Sequence, residues 1–137
     1  MAYWLMKSDP ETYSYGDLEK DKKTVWDGVS NNLALKHLRC MQRGDLTLIY
    51  HSGEEKALIG IAEIVSAPYP DPKETNPKLV VVDVVPKRRL VRPVSLSEIK
   101  LQKKEMDFEL VRMPRLSVMP VSVAVWEGLL KIAERRG

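Results

Sequence analysis

Two β-rich runs, residues 46–51 and 57–65, are separated only by Ser52-Gly53-Glu54-Glu55-Lys56. A five-residue connection containing Gly53 between two such runs reads as a β-hairpin, and the segments around it decide what that hairpin joins. Gly60, inside the second run, predicts a bulge or a close approach of backbone. Upstream, residues 3–7 read as a strand stopped by Ser8-Asp9-Pro10, and residues 24–27 as a short strand ending at Gly28. Residues 31–43 carry a helical pattern: Ala34, Leu38 and Met41 share a face, Leu35 lies beside it, and Gly44 is the stop.

Downstream, three prolines in Pro68-Tyr69-Pro70-Asp71-Pro72 keep that segment out of a sheet interior, because each removes a donor. Residues 79–85 read as a strand, Ser95-Leu96-Ser97-Glu98 as a capping box, and residues 110–118 as two short strands broken at Pro114. Ser122 caps a final helix with Trp126, Leu130 and Ala133 on one face. The regular strand–helix alternation of a doubly wound fold is missing. The expected fold is mixed α/β (α+β), a small β-barrel of about five to six strands flanked by short helices, in one domain over residues 1–137.

At 137 residues, 44% hydrophobic and 30% charged, the chain has a globular composition, and no run approaches the ~20 apolar residues of a membrane span. No basic n-region and apolar h-region open the sequence. Cys40 stands alone, which excludes an internal disulfide and a cysteine-based zinc site, and His37 and His51 are the two histidines. The expectation is a soluble, cytoplasmic protein without metal or cofactor, with nucleoid association left open. Residues 1–68 hold eight Lys/Arg against ten Asp/Glu, and residues 69–137 hold fourteen against nine. Seven of the nine aromatic residues fall in the first 69 positions. A stacking site would therefore be built by the first half, with positive charge supplied by the second.

Trp26-Asp27-Gly28-Val29-Ser30-Asn31-Asn32 sets a flat ring, a carboxylate, a glycine and two amides at the junction of a strand and a helix. A helix start offers free N–H donors, and Gly28 lets a ligand approach the backbone. Trp26 either stacks on a planar base while Asp27 or Asn31 reads its edge, or it is core while Ser30 or Asn31 caps the helix. The helix beyond has no acidic residue, and Lys36, Arg39 and Arg43, at i, i+3 and i+7, form a basic stripe. That stripe either tracks phosphates or complements the helix dipole.

Lys7 and Ser8 end the first strand, where a barrel mouth would place them near a ligand, and Trp4 shares the Ser8 face. Tyr69 is pinned between two prolines and so preordered. In Tyr50-His51-Ser52, neighbours on a strand point to opposite faces, so His51 and Ser52 do not make a base–nucleophile pair. No Gly-x-Ser-x-Gly elbow exists. A pocket-lining Tyr50 or Ser52 and a structural His51 fit better. The run Lys87-Arg88-Arg89, with Arg92, Arg112 and Arg115 following, reads as solvated charge.

The motifs Tyr3-Trp4-Leu5-Met6-Lys7-Ser8-Asp9-Pro10, Trp26-Asp27-Gly28-Val29, Arg39-Cys40-Met41-Gln42-Arg43-Gly44-Asp45 and Tyr50-His51-Ser52 are followed by Tyr69-Pro70-Asp71-Pro72, Val82-Asp83-Val84 and Arg115-Leu116-Ser117-Val118-Met119-Pro120-Val121-Ser122. In that order they resemble the EVE domain family, which includes the thymocyte nuclear protein group and small bacterial proteins. The resemblance covers essentially the whole chain. It implies a PUA-like barrel, related to the YTH readers of methylated adenine, that holds a flipped, often modified base in an aromatic-walled pocket, and the expected function is binding of such a base in DNA or RNA without catalysis.

Carried over by motif, the pocket would draw on Trp4, Lys7, Ser8, Trp26, Asp27, Gly28 and Asn31. Tyr50, His51 and Ser52 would add a second wall and Tyr69 a lip, while Arg115 and Ser117 would lie on the nucleic-acid face. The implied partner is nucleic acid carrying modified bases, and a monomer with no membrane and no metal partner is expected. The family usually has Arg, Asn and an aromatic after Trp-Asp-Gly-Val, where this chain has Ser30-Asn31-Asn32. Gly53 stands where Asn is usual and Asp9 where Glu is usual. The alternative is a small PUA-like amidohydrolase acting on modified pyrimidine nucleosides, with Lys7 and either Asp27 or Glu63 supplying acid–base chemistry. Glu63 sits amid Ile59, Ile61 and Val65, a setting that would raise its pKa if buried.

Overall fold

The hairpin is present: β3 (Leu46–His51) and β4 (Ala57–Ile64) pair antiparallel in the computed structural model, which describes residues 1–102 and 106–135. Ile49 faces Gly60 while Tyr50 faces Leu58, so one residue bulges out beside Gly60. β1 (Tyr3–Ser8) lies parallel to β3 and antiparallel to β7 (Val118–Val121). A parallel neighbour needs a crossover. Here it contains α1 (Tyr15–Asp21), β2 (Thr24–Trp26) and α2 (Asn32–Arg39).

β6 (Val80–Ser95) pairs with β4 and, through residues 82–84, with β2. The strand order is β2-β6-β4-β3-β1-β7, and β5 (Tyr69–Pro70) adds a two-residue pair on β6. Register shifts between Leu58 and Gly60 and between Ile61 and Ala62 bend the long β4–β6 pair. The sheet thus curls into an open barrel, and α2 packs against both β6 and β7. Ala34, Leu35 and Leu38 of α2 enter the core, as do Trp126, Leu129 and Ile132 of α5 (Val123–Glu134). The Ser95 capping box opens α3 (Leu96–Leu101), and Ser122 caps α5 through Val125 N, as the sequence predicts.

Four segments differ from the sequence reading. α2 ends at Arg39 rather than Arg43, because residues 40–45 turn so that the buried Asp45 carboxylate accepts from Ala2 N, Trp4 Nε1 and Gln42 N. Residues 109–112 form α4 (Glu109–Arg112) instead of a strand. The helical turn buries Leu110 and leaves Arg112 outside, paired with Asp107 and Glu109. β6 continues past Val85 to Ser95, and its two prolines lie beside the register shifts, where a missing N–H costs least. α1 is an element the sequence reading lacked, although Ser14 and Asp17 form a capping box at its start.

Candidate functional site

β1 and β2 end beside one open cleft of about 820 Å³. Lys7 and Ser8 of β1, the turn residues Asp9, Thr12 and Tyr13, and all of β2 line it, with Asp27 and Gly28 beyond. Strand pairing of Trp26 with Val82 backs the indole, which is nearly buried. Gly28 has φ +79, a left-handed conformation that favours glycine, and a Cβ there would point into open space. The wall opposite β2 is built by turn chemistry. Glu11 N donates to Asp9 Oδ1 at 2.9 Å, Tyr13 N donates to Asp9 O at 2.8 Å, and Ser8 Oγ donates to Tyr13 O.

The charge in the cleft is mixed. Lys7, Lys23 and Lys73 face Asp9 and Asp27. Lys7 is partly buried, which pushes its pKa below the usual lysine value, and its Nζ donates to Pro114 O at 2.8 Å. Lys73 Nζ lies 3.9 Å from Asp27 Oδ2, and Lys23 Nζ lies 3.7 Å from Asp83 Oδ2. Among the described residues no group of three or more His, Cys, Asp or Glu is placed to hold a metal ion.

Of the pocket residues expected from the sequence, the structure brings Lys7, Ser8, Trp26, Asp27 and Gly28 to this cleft. Trp4 belongs to the core, with Nε1 donating to Asp45 Oδ2 at 2.9 Å. Asn31 is the helix cap, Oδ1 accepting from Ala34 N at 3.0 Å. Tyr50 is buried beneath Lys7, whose Nζ sits 5.6 Å from the ring centroid. His51 is buried with Nε2 accepting from Tyr15 N and Nδ1 against Glu55 Oε2, and it borders a second depression formed with residues 89–93. Ser52 does not line the cleft, and its N–H donates to Ser8 O at 2.9 Å. Tyr69 donates to Asp83 Oδ1 at 2.6 Å, which with partial burial pushes its pKa up to about 12.

The basic stripe does not form as one helix face, because Arg43 lies beyond the end of α2. Lys36, Arg39 and Arg43 are exposed but none lines the cleft, and Arg39 Nη2 donates to Lys78 O at 2.7 Å. Neither Arg115 nor Ser117 lines the cleft, although their segment meets Lys7, whose N donates to Ser117 O at 2.9 Å and whose Nζ donates to Pro114 O. Glu63 sits on β4 away from the cleft, with Lys87 Nζ at 3.1 Å. Asp9, Thr12, Tyr13, Lys23, Thr24, Val25 and Lys73 line the cleft but were not among the pocket residues expected from the sequence. Tyr13 carried a signal, an aromatic within the Ser8-Asp9-Pro10 turn region, but nothing local to Lys23 or Lys73 points to a shared cleft.

No described helix is long and apolar enough to cross a membrane. Thymocyte nuclear protein 1 of Homo sapiens is 31% identical over 168 residues, covering 98% of this chain and 75% of that protein. The structure of Rpa0253 from Rhodopseudomonas palustris is similar at a TM-score of 0.92 and 38% identity, covering 97% of this chain and 93% of that one. Human THYN1 in complex with 5-methylcytosine containing DNA is similar at a TM-score of 0.93 and 30% identity, over 100% of both chains. The motifs that order the sequence, the curled sheet and a match to the EVE domain over residues 2–132 agree, and the chain belongs to the EVE domain family.

Proposed function

We propose that this chain binds nucleic acid carrying a modified base, holds the base in the cleft against the Trp26 and Tyr13 rings, and does no chemistry on it. The observation that carries this reading is the meeting of two aromatic side chains and three lysines at one open cleft. An aromatic face stacks on any base, and lysines draw phosphate. The likeness to a human protein in complex with 5-methylcytosine containing DNA makes that base the first to test. Flipping costs a few kcal/mol and stacking returns about 1–3 kcal/mol per base, so the lysines must supply the difference or the strand must already be single.

The hydrolase alternative has less support. Lys7, the acid–base partner that reading gives Asp27, is spent on Pro114 O, and Glu63 lies outside the cleft and is paired with Lys87. Single strands of one sequence, carrying 5-methylcytosine, cytosine or an abasic site, would be titrated by fluorescence anisotropy. The methylated strand should bind tightest and the abasic strand weakest. Equal affinity for all three would overturn base recognition, and turnover of modified nucleosides on chromatography would favour the enzyme.

A further inference from the structure

Most polar groups of the cleft are spent inside the protein. Ser8 Oγ donates to Tyr13 O, the Tyr13 hydroxyl donates to Asp21 Oδ2, Asp9 Oδ1 accepts from Glu11 N, and Lys7 Nζ donates to Pro114 O. Asp27 differs. Among the described residues its carboxylate accepts no hydrogen bond, and its ion partner is Lys73 at 3.9 Å, beyond hydrogen-bond reach. The two side chains are 48% and 81% exposed, so the pair is weak and readily exchanged.

Asp27 also follows Trp26 directly and shares the cleft with its ring. A carboxylate can only accept. Cytosine-type bases present an exocyclic N4 amino donor, whereas thymine presents the O4 acceptor at the same place. A base stacked on Trp26 with its amino edge toward Asp27 gains a bond, and one with an oxo edge there meets repulsion.

We propose that Asp27 selects for bases bearing an exocyclic amino group, and that Lys73 pairs with it until the base enters and then turns to that nucleotide's phosphate. The proposal rests on the base-binding reading above and adds its specificity. The exchange leaves neither group without a polar partner: a neutral amino donor replaces the ammonium on Asp27, and a phosphate replaces the carboxylate on Lys73. The exposed lysine stem allows this without backbone movement.

The test uses single strands of one sequence with 5-methylcytosine, thymine or an abasic site at one central position. The first two share the methyl group and differ in their amino-versus-oxo edge. The native protein should bind the 5-methylcytosine strand about tenfold or more tighter than the thymine strand, the discrimination expected of one good base-edge contact. Asp27→Asn should narrow that ratio to about threefold or less, because an amide both donates and accepts. Lys73→Gln should weaken both strands alike, keep the ratio, and lower the salt slope by about 0.7.

Equal binding of 5-methylcytosine and thymine, both tighter than the abasic strand, would overturn selection by Asp27 and leave base binding standing. An abasic strand that binds as well as the others would overturn base binding itself. The ratio in the native protein needs no variant, so it decides the matter even if Asp27→Asn fails to fold. A Lys73→Gln protein with native affinity and salt slope would overturn the transfer to phosphate.

Discussion

The Tyr15 ring occupies the space that a side chain at position 60 would need: a Cβ on Gly60 would meet its Cζ at 2.5 Å. The ring has little freedom to retreat, because its hydroxyl donates to Ile61 O at 2.7 Å and its backbone N–H donates to His51 Nε2 at 2.9 Å. The hairpin thereby fixes the start of α1 and the turn before it, and that turn is one wall of the cleft.

Gly60→Ala should cost about 1–3 kcal/mol, the usual range for an overpacked core. It should also weaken binding of a 5-methylcytosine strand, since a displaced Tyr15 carries Tyr13 with it. Urea unfolding and anisotropy check the two effects. Native stability in this variant would show that the ring has another place to go.

His51→Leu removes the acceptor for the buried Tyr15 N–H and should cost about 1–3 kcal/mol, the penalty of an unmet donor. His51→Gln keeps an acceptor and should recover part of that loss. Equal stability of the two variants would show that packing, rather than the hydrogen bond, is what matters there.

Trp4→Phe removes one donor from Asp45. Burial pushes the Asp45 carboxyl up, yet bonds from Ala2 N, Trp4 Nε1 and Gln42 N outweigh it and hold the carboxyl below the usual carboxylate value. A pKa lower in the folded state means stability that is present above about 3.8 and lost as pH falls through the folded value. The substitution should therefore cost about 1.5–3 kcal/mol at pH 7, the worth of a bond to a charged group, and less in acid. Urea unfolding across that range measures it, and a loss independent of pH would refute the charged bond.

Lys23→Gln with Lys73→Gln should reduce the salt slope of single-strand binding by about 0.7 for each phosphate that no longer meets a lysine. Replacing Lys36, Arg39 and Arg43 by Gln should leave the slope nearly unchanged, because none of the three lines the cleft. The opposite pattern would move the phosphate path to α2.

Tyr13→Ala should lower affinity for the 5-methylcytosine strand by about 1–3 kcal/mol, the value of one stacking interaction, with little change for the abasic strand. An equal drop on both strands would mean that Tyr13 shapes the turn without touching a base.

Several features were legible because their causes are local. The hairpin follows from two strand-like runs around a five-residue turn, and the caps at Ser95, Ser122 and Asn31 each need only a side-chain oxygen and an N–H three residues away. The extra length of α2 in the sequence reading arose because residues 40–43 keep a helical pattern. What ends the helix is Asp45 turning back to collect donors from residues as distant as Ala2. The strand expected near Leu110 gave way to α4 because burial of that leucine, rather than local propensity, decided the backbone.

Trp4 and Trp26 show where the sequence stops. Both end up nearly buried, and both belong to motifs that point to a pocket. The sequence by itself determined the β3–β4 hairpin, the caps at Ser95 and Ser122 and the Trp26-Asp27-Gly28 junction, because each depends on residues within a few positions. Only the tertiary structure decided which rings face the cleft. Pairing of β1 with β3 brings Asp45 to Trp4 and spends its N–H, while pairing of β2 with β6 sets Trp26 beside Tyr13 and Lys73. Those neighbours lie 13 and 47 positions away in the chain, beyond the reach of any local pattern, and non-local strand pairing is what gathers them.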